Sequence, residues 1–242
     1  MIVKVCGLRE AENIRDVAAL GADWLGLIFW PQSPRYVSMV PTGAGIIPDE
    51  ASLQPQSSTL HPPLSTHNSQ PSTLSTPPKR VGVFVDATAQ DIITRVYTFG
   101  LDIVQLHGHE TPTLIRNLRR TLGQGVSMMK AISVSGAADI ARYKDYADCV
   151  DFFLFDTKCK TVGGSGQQFD WGVLQAYDGE VPFLLSGGIG PGDAARVKAF
   201  HHPKCIGVDL NSRFERTPAV KDTALLRTFL RDLTSPLAPL TP

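Results

Sequence analysis

Short apolar runs alternate along the chain with amphipathic segments. The runs at 2–6, 24–29, 80–85, 101–106, 126–131, 151–155, 181–186 and 204–209 read as strands. Most are apolar without alternation, as in Trp24-Leu25-Gly26-Leu27-Ile28-Phe29 and Val81-Gly82-Val83-Phe84-Val85. Such runs suit strands covered on both faces, as in a parallel sheet. Helical periodicity falls at 10–20, 88–99, 110–122, 136–146, 170–177, 191–200 and 221–233. Thr88 and Thr111-Pro112 supply N-terminal signals, Pro191 a first-turn proline, and Gly21 and Gly100 C-terminal stops. Eight strands alternating with helices predict a (β/α)8 barrel in the α/β class. An eight-stranded doubly wound sheet is the structural alternative, and no internal repeat decides between them.

One stretch breaks this rhythm. From 48 to 78, 18 of 31 residues are Pro, Ser or Thr, and no charged side chain stands between Glu50 and Lys79. Such a composition cannot form a helix or bury a core. It predicts a disordered insertion over 48–79, standing where the helix after strand two belongs. The 47 residues before it are too few for a domain. The expected organisation is therefore one domain over 1–235 that contains the insertion, followed by a flexible tail at 236–242.

Composition narrows the partners. The 23 basic and 23 acidic residues cancel, so no surface for a polyanion is expected and nucleic acid is a poor partner. The four cysteines are scattered without paired spacing, which suits free thiols in a reducing compartment. No apolar run nears the roughly 20 residues of a membrane span, and the N-terminus lacks the pattern of a secretory signal. A cytoplasmic protein, monomeric or homodimeric and without a membrane partner, is expected.

In a barrel, chemistry collects at the carboxyl ends of the strands. Those ends offer Cys6, the turn Pro31-Gln32-Ser33-Pro34-Arg35, Asp86, His107, Lys130, Asp156, Ser186 and Asp209. After strands seven and eight come "SGGIGPGD" and "GVDLNS", containing Gly187, Gly188, Asn211 and Ser212. Glycines there let backbone N–H groups approach an anion, which points to a small phosphorylated ligand. Strand alternation puts Lys4 and Cys6 on one face, and Asp156 on the inward face of strand six. A thiolate base facing a carboxylic acid across the barrel mouth is a workable acid–base pair. Lys4 is expected to help the thiol ionise. Gln105, Lys130, Asp86 and Asp209 are expected to satisfy barrel-end hydrogen bonds, Trp24, Trp30 and Trp171 to pack, and 163–166 to form a loop near Asp156.

"VKVCGL" at 3–8, "GLIFWPQSPRYVS" at 26–38, "VGVFVD" at 81–86, "VQLHG" at 104–108, "LFDTK" at 154–158, "GGSGQQFDW" at 163–171, "LLSGGI" at 184–189 and "GVDLNSRFE" at 207–215 together resemble the phosphoribosylanthranilate isomerase family. The resemblance runs from residue 2 to about 232 apart from the insertion. It implies a (β/α)8 barrel that performs an Amadori rearrangement in tryptophan biosynthesis without metal or cofactor. It implies Asp156 as general acid, Cys6 as general base, Arg35 as partner of the anthranilate carboxylate, and a phosphate cradle at Gly187, Gly188, Asn211 and Ser212. The chain departs from the family in two places. The Pro/Ser/Thr tract replaces the helix after strand two, and "NSRFE" replaces a smaller, more glycine-rich turn.

Three rival readings remain. "HGHE" at 107–110 could hold a metal in a barrel hydrolase, although other strand ends offer it no histidine. A neighbouring phosphate-binding barrel such as indole-glycerol-phosphate synthase would want lysines and a glutamate at the strand ends. A degenerate barrel could bind a sugar phosphate without turnover.

Overall fold

The apolar runs become strands wherever both of their faces find cover. The structure, a computed structural model, describes residues 1–38, 76–157 and 170–235. Strands β1 (Ile2–Leu8), β2 (Trp24–Ile28), β3 (Lys79–Phe84), β4 (Ile103–Leu106), β5 (Ser127–Val134), β6 (Phe152–Thr157), β7 (Phe183–Ser186) and β8 (Cys205–Leu210) pair in sequence order as a closed barrel. All eight pairings are parallel, with β1 closing on β8 through the register Lys4 against Asp209. The doubly wound alternative, an open sheet, is thereby excluded.

Six α-helices are present among the described residues: α1 (Ala11–Ala19), α2 (Ala89–Phe99), α3 (Pro112–Leu122), α4 (Ala137–Ile140), α5 (Ala194–Ala199) and α6 (Thr223–Thr234). The Thr88 hydroxyl accepts from the Asp91 N–H, and left-handed Gly100 ends α2. Thr111 caps α3 in the same way, with Pro112 in the first turn. Asp222 caps α6 by accepting from the N–H groups of Ala224 and Leu225.

Two expected helices are tighter than predicted. Residues 171–176 form a 3₁₀ turn, and α4 continues as another over Ala141–Asp145. Their buried residues explain why. Trp171, Leu174 and Tyr177 are buried at a spacing of three, as are Ile140 and Tyr143, which is the eclipsed repeat of a 3₁₀ helix.

Residues between β2 and β3 numbered 39–75, the 158–169 stretch with its glycine loop, and the tail at 236–242 lie outside the described residues. So does most of the expected insertion, of which Thr76 to Pro78 lead directly into β3.

Apolar burial is layered. One cluster fills the space between sheet and helices, from Val3 and Val5 to Phe229 and Leu233. A second fills the barrel itself: Trp24, Val81, Ile103, Met129, Ala131, Leu154 and Leu184. Trp24 meets Phe152 edge to face at 5.1 Å. Above this plug the inward-pointing residues turn polar, beginning with buried Lys4, Gln105 and Asp209. The apolar layer is thus a floor, and the chemistry lies above it.

Candidate active site

At the carboxyl ends of the strands a cavity of about 440 Å³ opens. Cys6 lines it from β1 and Asp156 from β6, strands separated in the ring by β7 and β8. Gly187, Gly188, Asn211 and Ser212 line it as well, so six of the seven residues singled out in the sequence share one cavity. Arg35 is the seventh and does not line it.

Cys6 owes its position to local backbone irregularity. Gly7 follows with φ +77°, and the β1–β2 register shifts between Cys6 and Leu8. That bulge re-aims the end of β1. Across the ladder stands Gly26, where a Cβ would lie 2.8 Å from Sγ and 2.9 Å from Cα of Cys6. Glycine is required there because nothing larger leaves room for the thiol.

The electrostatics around the thiol give Lys4 the expected lowering influence and show its limit. Lys4 does face inward beside Cys6, but its ammonium donates to Asp209 Oδ1 at 2.8 Å, with both groups buried. Burial pushes the Cys6 thiol above its ordinary value, outweighing the lowering influence of Lys4 and Lys221. The lysine moderates the shift and does not reverse it, because its charge is shared with a carboxylate one strand away.

Arg35 is set by the turn after β2. Ser33 N–H donates to the Trp30 carbonyl, Tyr36 bridges back to Ile28, and Val37 N–H donates to the Ile28 carbonyl. This folds the Arg35 side chain over Gly7, where a Cβ would come within 2.5 Å of its Cδ. Its guanidinium grips Glu215 in a fork: Nε to Oε1 at 2.8 Å and Nη2 to Oε2 at 2.6 Å. Glu215 Oε1 also accepts from Lys221 Nζ at 2.6 Å, and the same ammonium donates to Asn211 Oδ1 at 2.8 Å. Glu215 and Lys221 belong to a small antiparallel pair after β8, β9 (Glu215–Thr217) and β10 (Val220–Lys221). Arg35 and Lys221 together hold the Glu215 carboxyl below its ordinary range despite its burial. Burial lowers Lys221 in turn.

Sequence reasoning missed Glu215 and Lys221. The signal available was a Glu six residues before a Lys just beyond the last strand, which looks like surface charge until the hairpin turns both inward.

The "HGHE" motif is spent on structure. Glu110 accepts from the N–H groups of Asp86 and Gly108 and pairs with Lys130 Nζ at 2.9 Å. His109 turns outward to Asp86, 3.1 Å away. His107 points the other way into the cavity, its Nε2 3.4 Å from Asp156 Oδ2. Among the described residues no group of three or more His, Cys, Asp or Glu side chains could hold a metal ion.

Lys130 satisfies barrel-end hydrogen bonds as expected, donating to the Leu106 and Gly108 carbonyls and to Glu110, but it does so from the outer face: β5 runs on to Val134, and alternation from Met129 and Ala131 turns it away from the cavity. Ser133 takes the place at the cavity. One other expectation changes: Trp30 is no packing residue; it is 37% exposed and lines the cavity. Asp86 and Asp209 do satisfy local bonds, to His109 and Lys4.

At the other side of the cavity Gly187 and Gly188 take φ +99° and +67°, so the turn after β7 presents bare backbone. A thiol, a carboxyl and an anion-sized glycine turn around one cavity can move a proton between neighbouring atoms of a small anionic molecule.

Comparison with known proteins places the chain in a family. Residues 44–232 match the family model described as N-(5'-phosphoribosyl)anthranilate (PRA) isomerase. A protein of Parabacteroides distasonis named N-(5'-phosphoribosyl)anthranilate isomerase is 42% identical over 236 residues, covering 98% of this chain and 95% of its own. One of the same name from Phocaeicola vulgatus is 41% identical, covering 96% and 98%. The crystal structure of phosphoribosyl anthranilate isomerase from Thermotoga maritima superposes with a TM-score of 0.71 at 29% identity, covering 96% and 98%. The chain therefore belongs to the N-(5'-phosphoribosyl)anthranilate isomerase family.

Proposed function

We propose that the cavity binds N-(5-phosphoribosyl)anthranilate and converts it to 1-(2-carboxyphenylamino)-1-deoxyribulose 5-phosphate, a step of L-tryptophan biosynthesis. The observation that carries the reading is the meeting of Cys6 and Asp156 in one cavity beside the Gly187-Gly188 turn, in a chain of this family. A structural relative, a phosphoribosyl anthranilate isomerase at 27% identity and TM-score 0.70, is described in complex with reduced 1-(o-carboxyphenylamino)-1-deoxyribulose 5-phosphate.

In this reading Asp156 gives a proton to the ribose ring oxygen, and the ring opens to an iminium. Cys6, as thiolate, removes the proton from C2, and the electron pair left behind forms an enolamine. Tautomerisation to the ketone completes an isomerisation in which no atom is gained or lost. His107, beside Asp156, orients its carboxyl. The phosphate rests at Gly187, Gly188, Asn211 and Ser212. Arg35 meets the anthranilate carboxylate, held ready by Glu215. The chemistry calls for no metal or cofactor.

The partner is then one small phosphorylated molecule, and the chain works in the cytoplasm as a monomer or homodimer. A Thermotoga maritima relative is described as a dimeric phosphoribosylanthranilate isomerase. No helix of the described residues is long and apolar enough to cross a membrane.

The test is the fluorescence decay of freshly made phosphoribosylanthranilate on adding wild type, Cys6→Ser and Asp156→Asn. Fast decay with wild type and a loss of at least about 100-fold in each variant is expected of an acid–base pair. No decay with folded wild type would sink the reading.

A further inference from the structure

The cavity wall is short of positive charge for a ligand that carries two anionic groups. Asp156 and Asp209 both line it, and the nearest lysine beneath, Lys4, is already paired with Asp209. Among the described residues that line the cavity, a single arginine or lysine occurs, Arg213.

Arg213 is placed by the turn that follows β8. Phe214, next to it, is fully buried against Phe229 at a ring distance of 5.1 Å, and Phe214 N–H donates to the Asn211 carbonyl. The anchored phenylalanine sends Arg213 the other way, out to the rim. There its side chain lies along the turn after β7: a Cβ on Gly190 would sit 3.1 Å from Arg213 Cδ and 3.3 Å from Nη1. Among the described residues the guanidinium makes no hydrogen bond or ion pair. Among the described residues it is thus an uncommitted cation, within reach of both halves of the glycine-rich anion cradle, one half its own chain neighbours Asn211 and Ser212 and the other the stretch from Gly187 to Gly190.

We propose that Arg213 is a phosphate-binding side chain that closes over the ligand's phosphate from the rim and adds a full charge to a cradle otherwise made of backbone and small polar groups. The guanidinium fork suits two phosphate oxygens at once. The inference rests on the isomerase reading for the identity of the molecule that carries the phosphate, though not for the contact itself.

Arg213→Ala and Arg213→Lys are to be compared with wild type in two measurements. In turnover of phosphoribosylanthranilate, Arg213→Ala should raise KM by about 10-fold, the scale of one charge-assisted contact, with kcat within about two-fold. The gap from wild type should narrow as salt rises, since the contact is partly exposed. In titration with ribose 5-phosphate, Arg213→Ala should weaken binding by a similar factor and Arg213→Lys by less, while binding of ribose stays equal across all three proteins. Unchanged KM and unchanged ribose 5-phosphate affinity in Arg213→Ala would overturn the assignment. So would an equal loss for ribose. Should wild type fail to turn over the substrate while the ribose 5-phosphate titration behaves as stated, the isomerase reading falls and the phosphate contact stands.

Discussion

Cys6 is the residue on which most depends, and burial sets its behaviour. The thiol must lose its proton to act as a base, yet its surroundings hold that proton on. The rate at low substrate, kcat/KM, should therefore keep rising with pH beyond the ordinary thiol value of about 8.5. A pH–rate profile that levels off near neutrality would assign the base to another group. Because Lys4 pulls the thiol downward, Lys4→Met should shift its titration further up, as followed by thiolate absorbance. Space is equally confined here. Gly26→Ala would drive a methyl group to 2.8 Å from Sγ. It should cost about 1–3 kcal/mol of stability by denaturant unfolding, the usual scale of overpacking, and more than 10-fold in turnover through displacement of the thiol.

The decisive element is the short β9–β10 hairpin, whose five strand residues include both Glu215 and Lys221. It ties Arg35, from the far side of the barrel seam, to Asn211 at the end of β8. Glu215→Gln would leave Lys221 buried beside a neutral amide. A loss of about 3–5 kcal/mol is expected in urea unfolding, with a raised KM from the loosened Arg35. The pH dependence follows from the sign of the shift. Glu215 is held low in the folded state, so its contribution is in full above the ordinary carboxylate value of about 4.3. It should drain away as pH falls through the lowered value, and the wild-type unfolding midpoint should drop more steeply below pH 4 than that of Glu215→Gln. The apolar pattern located this element's neighbours but not the element, since two-residue and three-residue strands carry no period to read.

At the scale of the whole molecule, barrel closure puts a charge pair at its seam. Lys4 and Asp209 are register partners on the first and last strands, both pointing inward above the apolar floor. Asp209→Leu alone strands a buried ammonium and should destabilise by about 3–5 kcal/mol, whereas Lys4→Met with Asp209→Leu should recover most of that loss. Equal unfolding midpoints for the single and double variants would show that the pair contributes nothing at the seam. The same closure explains how the strand order tolerates a long connection after β2: Trp24 to Ile28 pair directly with Lys79 to Val83, whatever lies between.

Local pattern determined a great deal. Unbroken apolar runs of about six residues demand cover on both faces, so strands and parallel class were legible, as were the capped helices α2 and α3. Cys6, Asp156 and the glycine turns stood out because strand ends in such a sheet are where polar residues otherwise have no reason to gather. What the sequence could not decide were matters of pleat and of distance. One residue more or less in β5 chose between Lys130 and Ser133 for the cavity, and only the ladder counts that residue. The charge of Lys4 became fixed only when strands 205 residues apart in the chain came into register, and those of Glu215 and Lys221 only when the hairpin turned inward and met Arg35, 180 residues before Glu215. Their energies depend on burial and on separation in space, and neither is a property of the chain until it closes.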